Sequence, residues 1–122
     1  QQYPDKPIFL LAKSLALLTL NRYDECIQVS EQLIKVDATL PEPHFNIATA
    51  YLNQALELEK KNEPRLYRSK LTELYTKARP YMEEYRKLVP SDQSRWAPAL
   101  YRVYLNLNMG KQFDEIDRLM RK

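Results

Sequence analysis

The chain has very little of what most protein chemistry is built from. Its 122 residues include one cysteine, one histidine, one tryptophan and one glycine. A single thiol, Cys26, excludes an internal disulfide framework and any multi-cysteine zinc or iron–sulfur site. A single imidazole, His44, excludes a multi-histidine metal centre. A single glycine, Gly110, excludes the glycine-rich loops that cradle phosphates, because those loops use several. No apolar run is long enough to cross a bilayer, which takes about 20 residues; the best stretch, Ile8 to Leu20, is shorter and interrupted by Lys13.

What is present suits one helical domain. The chain is 44% hydrophobic and 29% charged, with eight prolines and nine tyrosines. That length buries a core but does not make two ordinary domains. The net charge of +3 is unevenly spread. Residues 1–58 carry a net −3, residues 59–90 a net +4 and residues 91–122 a net +2. A mixed-charge solvated helical face accounts for the middle excess, and a basic patch for an acidic partner is the functional alternative. The start at Gln1-Gln2 without an initiator methionine predicts a processed form or an excerpt, with any targeting signal upstream. The compartment stays open: cytoplasmic, or periplasmic or secreted if such a signal was removed.

Periodicity predicts six helices in three antiparallel pairs and no strand. After the lead Tyr3-Pro4-Asp5-Lys6-Pro7, the run Ile8 to Leu20 is apolar almost all round, which predicts a helix covered on every side. Asn21-Arg22 turns the chain into a second helix carrying Tyr23, Cys26, Ile27, Leu33 and Ile34. Asp37 to Pro43 is a connector, and a third helix runs from near Glu42 to about Lys61. The break Asn62-Glu63-Pro64 precedes a long fourth helix ending at Leu88, with a kink expected at Pro80. Ser91 or Asp92 is positioned to cap a fifth helix with the stripe Trp96, Leu100, Val103, Tyr104 and Leu107. Gly110 is expected to stop that helix in a left-handed turn, and Phe113 to begin the sixth.

Fixed spacings carry the strongest signal. Leu10 to His44 and Leu17 to Tyr51 are both 34 residues. Tyr23 to Tyr75, Cys26 to Ala78, Ala38 to Pro90 and His44 to Trp96 are all 52, or 34 plus 18. The chain thereby resembles the tetratricopeptide repeat family over most of its length. The first unit (about 7–40) places Leu10, Lys13-Ser14, Leu17, Tyr23, Cys26, Ser30 and Ala38 on the family's pattern. The second (41–92, with an 18-residue excess) places His44, Ile47-Ala48, Tyr51, Tyr75, Ala78, Met82 and Pro90 there. The third (93–122) places Trp96, Ala99-Leu100, Val103, Phe113, Ile116 and Met120. Asn21 to Cys26 and Gln112 to Ile116 resemble the family's turn between helices. Lys13 and Leu100 depart from it, and the third unit is four residues longer before Phe113. Counting back from Phe113 instead selects Leu100, Val103-Tyr104 and Leu107, and both registers stay open.

The resemblance implies an all-α, right-handed superhelical stack forming a single domain. The 18-residue excess divides into about two whole turns of the third helix and three of the fourth. That predicts a projecting arm tipped by Lys60, Lys61, Arg65, Arg68 and Lys70. The resemblance also implies a groove lined by the first helix of each pair, with Leu11, Leu15, Phe45, Asn46, Thr49 and Asn53 as partner-binding candidates. Some members clamp an acidic peptide tail. The matching places here are Leu11, Leu15, Asn46, Ser94 and Pro98, and only Asn46 fits that clamp. The leucines predict apolar contact instead, with Leu18 beside them.

No catalytic constellation can be argued from spacing. Cys26 and His44 read as packed core residues, and Glu57, Glu59, Glu83 and Glu84 as solvated surface carboxylates. Tyr51, Tyr75 and Tyr85 fall on packing stripes, while Tyr67, Tyr81 and Tyr101 stand where bases could stack beside the arm. The expectation is a non-catalytic scaffold that binds a protein or peptide, without metal, cofactor or membrane insertion. The alternative is polyanion or nucleic-acid binding through the basic arm. Because the first helix lacks the polar cap of a solenoid end, self-association or packing against an upstream repeat is also expected.

Overall fold

The computed structural model describes residues 7–61 and 64–121. The lead Tyr3 to Lys6 and the Asn62-Glu63 break lie outside them. Within the described residues the chain is all-helical: α1 Pro7–Thr19, α2 Tyr23–Val36, α3 Pro41–Glu59, α4 Pro64–Leu88, α5 Gln93–Asn106 and α6 Gly110–Met120. Each helix packs on the next in sequence, and α1 also packs on α3.

Prolines open three of the helices, Pro7, Pro41 and Pro64, where a missing N–H costs nothing. None of α2, α3, α5 and α6 has a side-chain cap. Asp92 does stand at the N-cap of α5, but its carboxylate accepts from the Tyr85 hydroxyl instead of the α5 backbone. Helix α4 runs unbroken through Pro80.

Two turns have the same construction. After α1, the Arg22 N–H donates to the Leu17 carbonyl at 2.9 Å and Asn21 N–H to Leu18 at 3.0 Å, with Asn21 at φ 62°. After α5, the Met109 N–H donates to the Tyr104 carbonyl at 2.9 Å and Asn108 N–H to Leu105 at 3.3 Å, with Asn108 at φ 57°. Both are Schellman closures with asparagine in the left-handed position. This corrects the expectation for Gly110, which does not have positive φ and is the first residue of α6. Asparagine serves because its short polar side chain tolerates that region better than other non-glycine residues. Gln112 to Ile116 likewise lies within α6, so the inter-helix turn comes earlier than expected and Phe113 is the fourth residue of its helix. Of the four residues by which the Trp96–Phe113 spacing exceeds that of Leu10–Tyr23, one therefore lengthens α5 and three sit at the start of α6.

The core has two parts. One joins α3, α4, α5 and α6 around Tyr75, Tyr85, Met82, Leu100 and Ile116, each at most 1% exposed. The other joins α1, α2 and α3 around Leu17, Cys26, Leu33 and Ile47. Tyr51 and Tyr81 pack against both. Helix α1 does not have the cover on every side that its composition predicts: only Leu10, Ser14 and Leu17 are buried. Helices α3 and α4 are elongated, at 19 and 25 residues against 11 to 14 in the others. Their additional turns carry mostly exposed side chains.

A further internal echo appears at the helix starts. His44 and Trp96 are the fourth residues of α3 and α5. The His44 Nε2 lies 3.1 Å from the Ala38 carbonyl, and the Trp96 Nε1–H donates to the Pro90 carbonyl at 3.1 Å. Each ring ties its helix to the residue six positions earlier, so the 52-residue spacing of both partners holds as geometry as well as sequence.

Candidate functional site

A cavity of about 250 Å³ opens where α1, α3 and α5 meet. Leu11, Leu15 and Leu18 line it from one face of α1, Glu42, Phe45 and Asn46 from α3, and Arg95 from α5. The three leucines follow the i, i+4, i+7 spacing that aligns side chains on one helical face. Leu15 is 57% exposed, an unusual amount for leucine beside an apolar cavity.

The opposite wall is held rigidly. The Phe45 ring packs against Tyr85 at 5.1 Å, and the Arg95 guanidinium lies 4.5 Å from the Phe45 centroid. Arg95 is fixed there by Glu42 at 3.2 Å and the Tyr85 hydroxyl at 3.2 Å. Burial, then the Asp92 carboxylate, pushes the Tyr85 phenol above its ordinary pKa and keeps it a neutral donor to Asp92. The rim thus pairs its own opposite charges, and its floor is apolar.

Of the expected groove residues, Leu11, Leu15, Phe45 and Asn46 come together here. Asn46 is only 3% exposed, however, and its amide donates to the Ser14 hydroxyl at 3.0 Å. Ser14 in turn donates to the Leu11 carbonyl at 2.8 Å. Asn46 therefore joins α3 to α1 beneath the cavity. Thr49 and Asn53 are half-buried further along α3 and do not line it. Glu42 and Arg95 were missed by sequence reasoning; they lie 53 residues apart and no local pattern links them.

The basic arm is not one patch. Lys61 and Lys70 share a cleft of about 310 Å³ with Tyr67 and the acidic Glu57. Arg68 lines a different cleft, of about 360 Å³, with Leu105, Asn106 and Asn108. Lys70 pairs with Glu73 at 3.6 Å, and the Lys61 ammonium sits 5.6 Å from the Tyr67 centroid. Lys60 and Arg65 are exposed. The aromatic candidates divide as well. Tyr101 packs on Phe113 at 4.8 Å and Tyr81 is half-buried between the two cores, which leaves Tyr67 alone beside arm cations.

Cys26 is fully buried, and that burial pushes its thiol pKa up, away from reactivity. His44 is buried, and its Nδ1 has no hydrogen-bond partner among the described residues. Among the described residues no group of three or more His, Cys, Asp or Glu side chains could hold a metal ion. Among them, too, no helix is long and apolar enough to cross a membrane. No protein-family model, no curated protein and no solved structure matches this chain.

Proposed function

We propose that the chain is a tetratricopeptide-like, right-handed superhelical repeat domain that works as a non-catalytic scaffold, holding a peptide or helix of a partner protein. Support for the repeat reading comes from the paired His44 and Trp96 bonds and from the two asparagine-closed turns. The observation that carries the binding reading is the cavity between α1, α3 and α5, with Leu15 more than half exposed on one wall and Phe45 clamped under Arg95 on the other. Apolar side chains of a partner helix would bury against Leu11, Leu15, Leu18 and Phe45. Because Arg95 is already paired with Glu42, shape and apolar burial set affinity more than charge does.

The test is selection of helical peptides on the intact chain from a displayed library, with Leu15→Glu as the counter-screen. Peptides with an apolar i, i+4, i+7 face are expected, each losing at least about tenfold in affinity for the variant. Selected peptides that bind both forms equally would overturn the reading. So would binding that goes instead to a single-stranded oligonucleotide, falls steeply with salt and is abolished by charge reversal at Lys60, Lys61, Arg65 and Arg68.

A further inference from the structure

The groove uses one side of α1; the opposite side is also apolar, and none of the described residues covers it. Phe9 is 55% and Leu20 64% exposed, with Lys13 and Ala16 exposed between them. These four residues follow i, i+4, i+7, i+11, a straight stripe on a helix; Leu20 is the residue just past α1, its N–H still bonded to the Ala16 carbonyl at 3.0 Å. At 100° per residue it faces roughly opposite the Leu11, Leu15 and Leu18 stripe. The positions 34 residues later in α3 are Pro43, Ile47, Ala50 and Gln54, of which the first three are buried and the last half-buried. Ile47 and Ala50 are buried against α1 and α2. The face that α3 places under the first helix pair is thus the one α1 leaves open.

We propose that this face of α1 is the interface of a two-fold dimer, occupied by the same face of a second copy of the chain. Two features select that occupant. The first is the difference in charge between α1 and α6. Helix α1 has one charged side chain, Lys13, whereas α6 exposes Lys111, Asp114, Glu115 and Arg118. Stacking α6 of one copy on α1 of the next would bury those charges against an apolar surface, so head-to-tail growth is disfavoured. The second is symmetry in the stripe itself. Phe9 and Leu20 are equidistant from the point between Ser14 and Leu15, and so are Lys13 and Ala16. An antiparallel copy therefore sets Phe9 on the partner's Leu20. Lys13 then falls on the partner's Ala16, whose small side chain leaves room for the lysine stem to lie flat while its ammonium reaches water. One pattern is both halves of the contact, as a two-fold interface requires.

Sedimentation equilibrium of the intact chain tests this, from about 1 to about 100 µM. The wild type is expected to dimerise, and Phe9→Glu to weaken dimerisation at least about tenfold without loss of helical circular dichroism, since Phe9 is exposed. Leu15→Glu, on the groove side, should leave the dimer intact, which separates this proposal from the groove reading. Oxidising a mixture of Phe9→Cys and Leu20→Cys chains should cross-link unlike chains in preference to like ones, with buried Cys26 unreactive. A wild type that stays monomeric throughout, a dimer indifferent to Phe9→Glu, open-ended polymers, or preferential cross-linking of like chains would each overturn it.

Discussion

Buried and half-buried tyrosines in this chain repeatedly hand their hydroxyl to a carboxylate on a neighbouring element. Tyr75 donates to Glu59 at 2.7 Å, Tyr104 to Glu83 at 2.6 Å, and Tyr23 to Glu57 at 2.8 Å. Each ring fills apolar space while its polar tip reaches the surface. Burial first, and the carboxylate second, pushes Tyr75 and Tyr23 up to about 12 and Tyr104 above its ordinary range. A phenol that holds its proton more tightly when folded stabilises the fold fully below the unfolded value near 10. That contribution is lost as pH rises from about 10 to about 12. Urea titrations across this window, with tyrosinate absorbance as the monitor, should show falling stability. In Tyr75→Phe the alkaline decline should be shallower by about one proton. Below it, the variant should be weaker by about 1 kcal/mol for the lost bond.

At the scale of the element, helix ends are where local rules are least decisive. Gly110 looks like a stop because glycine enters the left-handed region freely. The turn in fact takes Asn108 for that role, and a Cβ at position 110 would meet nothing within 4 Å. Gly110→Ala should therefore stabilise the protein by about 0.5–1 kcal/mol, by reducing the freedom of the unfolded chain. Asn108→Val should destabilise by about 1–2 kcal/mol, because a branched side chain collides at positive φ. Thermal melts of both variants check the assignment, and the opposite pair of signs would return the turn to glycine. Helix lengths were more legible. Breaks at Asn21-Arg22, Asn62-Glu63-Pro64 and Val89-Pro90 interrupt the apolar stripes so plainly that α4 was expected to end at Leu88, where it does end. The apolar stripes of α3 and α4 keep helical spacing through their elongated parts because the added residues amount to about whole turns.

At the scale of the whole molecule, stability is shared between two cores that meet at Tyr51 and Tyr81. The core of α1, α2 and α3 is the smaller and is closed on one side by an α1 that buries only three side chains. Each helix packs mainly on its neighbours in sequence, so the first helices are expected to open below the free energy of global unfolding. Cys26 reports this directly, being the only thiol and fully buried in the core of α1, α2 and α3. Its labelling by an aromatic disulfide without denaturant should proceed through opening of α1 and α2. Leu33→Ala should accelerate it at least about 30-fold, since Leu33 is fully buried in the same core and such truncations cost about 2–5 kcal/mol. Labelling that tracks global unfolding alone would mean the two cores open as one.

How far the sequence reached depended on whether an interaction repeats along one helix. Apolar spacing by itself determined six helices, their near boundaries and most of the buried residues, because 3.6-residue geometry turns sequence order into a face. For the same reason it placed Leu11 and Leu15 on a common face of α1. Tertiary structure alone decided what each face met. It brought Arg95 to Glu42 and Phe45 across more than 50 residues. It turned Asn46 inward to Ser14, and it divided the arm's cations between two clefts. It also left α1 open where the sequence reads as covered. Periodicity is a property of a single helix. Partnership is a property of two, and it depends on the direction each helix takes through space, which no spacing within either one encodes.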